Sequence, residues 1–261
     1  MLSMVRSLLY RIVKLRIFAA FIVVILLCAL FTPFMLWLNE VWPTFAATGI
    51  VELPDGPAPA LQLYGFSLVG GSFLSSVICL MVGCLVAYDF NFDFVKNLVQ
   101  AKGGRLSYVC AAMISAVVLT TIVVAAGTAV VALALFLQDI PLTPPEVGEA
   151  IQWFIQVVLC ISAYASIAVF LGIATGSETV ACIGGVIFGG GVIEAVLQMI
   201  LANVPGLPVF IRDCLDGYLA ADLDVLTQGI VCDPMTYVQA VVTLLVVGIL
   251  TALVMRRRSL G

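Results

Sequence analysis

Histidine is absent from this 261-residue chain, which removes the commonest general base, metal ligand and pH switch of proteins. Any chemistry falls to carboxylates, amides, thiols and hydroxyls. Among these Glu194 stands apart, because it lies well inside a long apolar run with Gln198 one helical turn further on. A carboxyl group in a bilayer is costly unless paired or hydrated, so it tends to face a cavity or a partner helix. Gln152 and Gln156 form an i, i+4 pair at the start of another apolar run. Together the four could line one polar wall along which a solute moves. In the competing reading Glu194 is protonated, or snorkels toward water at the rim.

Of the eight cysteines, Cys28, Cys79, Cys84, Cys110, Cys160 and Cys182 lie within apolar runs and read as small, inert hydrophobes. Cys214 and Cys232 share a polar segment, where a disulfide and two free thiols are both open. No C-x-x-C spacing points to a metal, and no G-x-S-x-G elbow points to a nucleophile. The glycines of 184–191, GGVIFGGG, have no Lys-Ser/Thr after them and do not form a phosphate loop. Within them Gly185-x-x-x-Gly189 allows close helix approach, inside one subunit or at a dimer seam. No catalytic set, metal site or bound cofactor is expected in this chain.

The elements that carry these residues are set by composition. At 63% hydrophobic residues the chain lies far above the ~45–50% of a soluble domain. The expected fold is an all-α integral membrane protein with six transmembrane helices, about residues 17–38, 61–87, 109–137, 151–174, 180–202 and 235–255, forming a single membrane domain over 17–258. Residues 1–16 precede it. There Val5, Leu8, Leu9, Ile12 and Leu15 recur at helical spacing among Arg6, Arg11, Lys14 and Arg16, the pattern of an amphipathic helix lying in the membrane interface. The apolar run after it is longer than a signal-peptide core and no small-residue cleavage site follows, so the segment is expected to be retained.

Charge placement gives an orientation. Ten of the eleven Lys and Arg residues fall in the N-terminal helix, in the 88–108 segment or at the C-terminus, and only Arg212 falls on the other side. Eleven of the fifteen acidic residues lie on that other side, as a solvated rim or as an attractor of cationic peptides or drugs. An even number of spans with both termini in the cytoplasm accommodates every loop.

The segment 88–108, YDFNFDFVKNLVQAKGGRLSY, interrupts two spans. Phe90, Phe94, Leu98 and Ala101 recur at helical spacing, and Gly103-Gly104 ends the pattern, so a short amphipathic helix is expected. A merely solvated link is the alternative. The basic N-terminal helix, the six spans, this segment (sharpest at 93–108) and the basic C-terminus resemble the permease subunits of ABC-2-type transporters, in particular lantibiotic-immunity and bacitracin-resistance permeases. The resemblance implies that Phe92–Lys102 is a coupling helix seated in a separate cytoplasmic ABC ATPase. Phe94, Val95 and Leu98 would fill the ATPase cleft, beside Phe92 and Asp93, and Lys96, Lys102 and Arg105 would meet polar groups. It further implies a second permease chain, ATP and Mg handled by the partner, a multi-pass place in a bacterial cell membrane, no nucleic acid, and export of an amphiphilic peptide or drug. The alternative class is a secondary transporter or a structural or assembly factor, for which one intramembrane carboxylate and no internal repeat are thin support.

Overall fold

The computed structural model describes residues 2–42, 58–91, 104–202 and 218–257. Strings of Leu, Val, Ile and Ala give these segments an almost wholly helical backbone, as burial in lipid demands, since helices satisfy their own N–H and C=O groups. The helices are α1 (Leu2–Lys14), α2 (Arg16–Ala29), α3 (Phe31–Val41), α4 (Ala60–Leu68), α5 (Phe73–Asn91), α6 (Gly104–Leu137), α7 (Val147–Thr175), α8 (Glu178–Gly189), α9 (Val192–Ala202), α10 (Leu219–Thr227) and α11 (Met235–Arg257). One short parallel pairing joins Ala58–Pro59 to Leu142–Thr143.

Five stretches are long and apolar enough to cross a bilayer: Arg16–Asn39, Ala60–Asn91, Gly104–Leu137, Val147–Thr175 and Met235–Arg257. The chain is a multi-pass, all-α membrane protein. The segment expected as a single fifth span is instead two shorter helices, α8 and α9, parted at Gly190-Gly191. Gly191 takes φ +69°, a left-handed conformation open to a residue without Cβ, and this interrupts the helix. The second span is interrupted in the same way. A 3-10 turn at Gly70–Ser72 separates α4 from α5, with Gly71 at φ 64° and Ser72 at φ 54°.

Helix α7 is the hub, flanked by α5, α6, α8 and α11, and its buried face runs from Trp153 to Ile173. By contrast α11 leaves Val238, Val242, Leu245, Ile249 and Leu253 exposed, a surface suited to lipid or to another subunit. The 34 residues of α6 reach about 51 Å at 1.5 Å per residue, so this helix projects beyond a ~30 Å hydrocarbon core or tilts within it. Near its end, the Gln138 amide donates to the Pro33 carbonyl at 3.0 Å.

The apolar face of α1 rests on α6, with Met4, Val5 and Leu8 buried. Leu15 takes an extended conformation, φ −74° and ψ 129°, and this kink sets α1 off from the first span.

Helices α5 and α8 cross closely. A Cβ built on Gly83 would lie 2.8 Å from the Ala181 carbonyl oxygen, and one on Gly185 would lie 3.0 Å from that of Cys79. The small residues therefore let two backbones touch. Gly83→Val is expected to force the helices apart at a cost of roughly 1–3 kcal/mol, lowering the thermal unfolding midpoint in detergent by several degrees. Gly148→Ala, where an added Cβ meets nothing within 4 Å, should leave the midpoint unchanged or raise it.

Candidate functional site

Two polar ends frame the bundle. At the first, Arg11 meets a carboxylate that sequence reasoning passed over. Asp89, at the last turn of α5, is only 7% exposed. Its Oδ1 lies 2.8 Å from Arg11 Nη1 on α1, and its Oδ2 accepts a hydrogen bond from the Tyr108 hydroxyl at 3.3 Å. Tyr108 is wholly buried near the start of α6, and its ring meets Phe90 edge-on with centroids 6.1 Å apart. Three segments distant in sequence thus converge on one carboxylate. Close by, Arg105 Nη1 donates to the Arg256 carbonyl at 2.8 Å and the Met255 carbonyl at 3.4 Å. This closes the end of α11, where carbonyls lack helical partners and a cation offsets the helix dipole.

Beneath Asp89 lies a cavity of about 40 Å³ lined by Leu8, Arg11, Asp89, Tyr108, Ser115 and Leu119 among others. One water needs about 10–15 Å³, so the space has room for a few waters. The Ser115 hydroxyl is buried there without a hydrogen-bond partner among the described residues. The arrangement can hold charge and orient a little water. It has no nucleophile poised against a base.

At the opposite end, α7 holds a cap. Trp153, 1% exposed, donates through Nε1 to the Leu226 carbonyl at 2.9 Å. Gln156, wholly buried, makes two hydrogen bonds to the backbone of one residue, donating to the Cys232 carbonyl at 2.8 Å and accepting from the Cys232 N–H at 2.9 Å. The amide expected to line a solute path is thus spent on pinning backbone, while Gln152, four residues earlier, is exposed. Burial and the neighbouring Asp222 carboxylate push the Cys232 thiol up to about 12, and its Sγ donates to the Asp222 carbonyl at 3.4 Å. Burial likewise lifts the Asp222 carboxyl above its ordinary range.

The remaining expected residues divide by position. Glu194 and Gln198 belong to α9, with side chains outside those described. Phe92, Asp93, Phe94, Val95, Lys96, Leu98 and Lys102 lie outside the described residues, as does Cys214. Of the expected coupling set, Arg105 is described, and it is engaged with α11. Among the described residues no three His, Cys, Asp or Glu side chains cluster to hold a metal.

The class defined by the fold is an all-α multi-pass membrane protein with a charged knot at one end and a pinned cap at the other. No protein-family model matches the chain, and no curated protein matches it.

Two measurements check this geometry. Removing one member of a buried ion pair leaves the other uncompensated at a cost of about 3 kcal/mol, so Arg11→Leu and Asp89→Leu should each destabilise strongly. The double variant should lose clearly less than the sum, as a double-mutant cycle of denaturant unfolding in micelles would reveal. For Cys232, a rise from 9.0 to about 12 leaves about a thousandfold less thiolate near neutral pH. Maleimide labelling of the folded protein should therefore be slow and climb with pH, and Gln156→Ala should speed it by freeing the peptide that holds Cys232. Label taken up after denaturation without reductant marks a thiol, and label requiring reductant marks a bridge.

Proposed function

We propose that this chain is the membrane-spanning permease subunit of an ATP-driven exporter. Both termini and the 88–108 segment face the cytoplasm of a bacterial cell, a sixth crossing is completed by α8 and α9 together, and a separate ABC ATPase works with two permease chains to expel an amphiphilic peptide or drug. The observation that carries the reading is how both flanks of residues 92–103 are secured. On one side Asp89 is held by Arg11 and Tyr108; on the other Arg105 is bonded to the end of α11. A segment that passes the movement of a partner into a helical bundle needs stiff attachments, because a slack one would absorb the displacement. Here a displacement of 92–103 would reach α1, α5, α6 and α11 at once.

Cationic residues concentrated at this end support the orientation. The absence of a phosphate-binding loop in the sequence agrees with nucleotide hydrolysis in another subunit. Glu194, Gln198 and Gln152 stay the pathway candidates, and Gln156 serves the cap.

A second reading is favoured by one observation. The interruptions at Gly70–Ser72 and at Gly190-Gly191 fall in helices that pack on each other, and paired discontinuous helices mark the solute sites of many secondary transporters. In that case transport would need no nucleotide.

Purification of the chain from its native membrane in mild detergent separates the two. An ATP-hydrolysing subunit should accompany wild type and be lost from the Phe94→Asp/Leu98→Asp variant. Folded protein that carries no ATPase in either form would overturn the exporter reading in favour of the second.

A further inference from the structure

The tight crossing of α5 and α8 brings together two thiols that lie 98 residues apart in the chain: Cys84 Sγ and Cys182 Sγ are 2.6 Å from each other. Both are free and half-buried. A bonded pair of sulfurs sits at about 2.05 Å and asks for backbones within a few ångströms of contact. That second requirement is met independently of the thiols, because the preceding residues, Gly83 and Ala181, already touch through the carbonyl of Ala181. One turn from Cys182 the same seam continues at Gly185 against Cys79. The two helices are thus already in close approach where the thiols meet.

We propose that Cys84 and Cys182 are a redox pair that closes reversibly to a disulfide when a hydroperoxide reaches this half of the membrane. In the first step one thiol sulfur attacks the peroxide; an S–O bond forms, the O–O bond breaks, and the other peroxide oxygen leaves as water or alcohol with the thiol's proton. The product is a sulfenic acid. The second sulfur then attacks the first, the S–S bond forms, and the S–O bond breaks to release water that carries the remaining proton. Two thiols lose two electrons in total, and the hydroperoxide gains them.

The bridge acts on a specific joint. Helix α8 leads directly into the interruption at Gly190-Gly191, and α5 carries Asp89 in its last turn. A covalent staple between them fixes the half-helix below that interruption to the element that carries the charged knot. On the orientation proposed above, the pair lies toward the reducing compartment, where the dithiol is the resting form and the disulfide the response to oxidant. Bridge formation itself depends on neither that orientation nor any transport activity.

The test uses the full chain in its native membranes. Hydrogen peroxide is added until exposed Cys110 is consumed, remaining thiols are blocked with N-ethylmaleimide, and the protein is digested for mass spectrometry. The expected result is a linked peptide pair joining Cys84 to Cys182 that disappears on treatment with dithiothreitol. In Cys84→Ser the link should be missing and Cys182 recovered as an alkylated thiol or a higher oxide, with Cys182→Ser giving the reciprocal result. The proposal fails if wild-type Cys84 and Cys182 are both recovered alkylated, or separately oxidised, once Cys110 is gone. The wild-type measurement decides this even where a variant folds poorly.

Discussion

A carboxylate that is 7% exposed at the end of a membrane helix needs a partner, and the organisation of one end of this protein follows from where that partner comes from. Asp89 takes its countercharge from Arg11, on a helix outside the spans, and its hydrogen bond from Tyr108, on the far side of the polar segment. Charges taken out of water are strongly penalised when left single and tolerated when paired with good geometry. The N-terminal helix is therefore bound to the bundle by electrostatics as well as by Met4, Val5 and Leu8. Neither contribution is incidental: the apolar face brings α1 onto α6, and the ion pair fixes its register.

The two ends of the molecule solve different problems with different means. At the basic end, side-chain charges meet one another and the open carbonyls of α11, so distant segments are cross-tied. At the other end, Trp153 and Gln156 donate to and accept from backbone at Leu226 and Cys232, which holds a short cap helix over the hub. Between them the bundle relies on small residues, and the seam of α5 with α8 is close enough that a Cβ at Gly83 would strike a carbonyl. Tightness there coexists with interruption, since both partners adjoin a left-handed glycine.

Much of this was written in the sequence, and what was not had physical causes. The face of α1 could be read from Val5, Leu8, Leu9, Ile12 and Leu15 because helical periodicity is local, and the apolar runs announced the spans for the same reason. Asp89 escaped notice because it was counted with the polar segment that follows, whereas α5 continues through it to Asn91. Gly184–Gly191 was legible as a close-packing motif, but a run of glycines does not say whether the helix continues or breaks; φ at Gly191 decides that. Gln156 looked like its neighbour Gln152, and only the fold turns one inward to the Cys232 peptide. The Cys84 and Cys182 thiols, each unremarkable in its own run, meet through a crossing of non-adjacent helices that no local pattern encodes.

The central claim is that the knot of Arg11, Asp89 and Tyr108 ties both flanks of the polar segment to the bundle, and backbone hydrogen exchange measures that fastening directly. In Arg11→Leu, compared with wild type in the same detergent, the account predicts faster exchange at residues 88–91 and 104–108 together, with the cap at 219–227 unchanged. Unaltered exchange at both flanks, or an equal rise across the whole bundle including the cap, would contradict it.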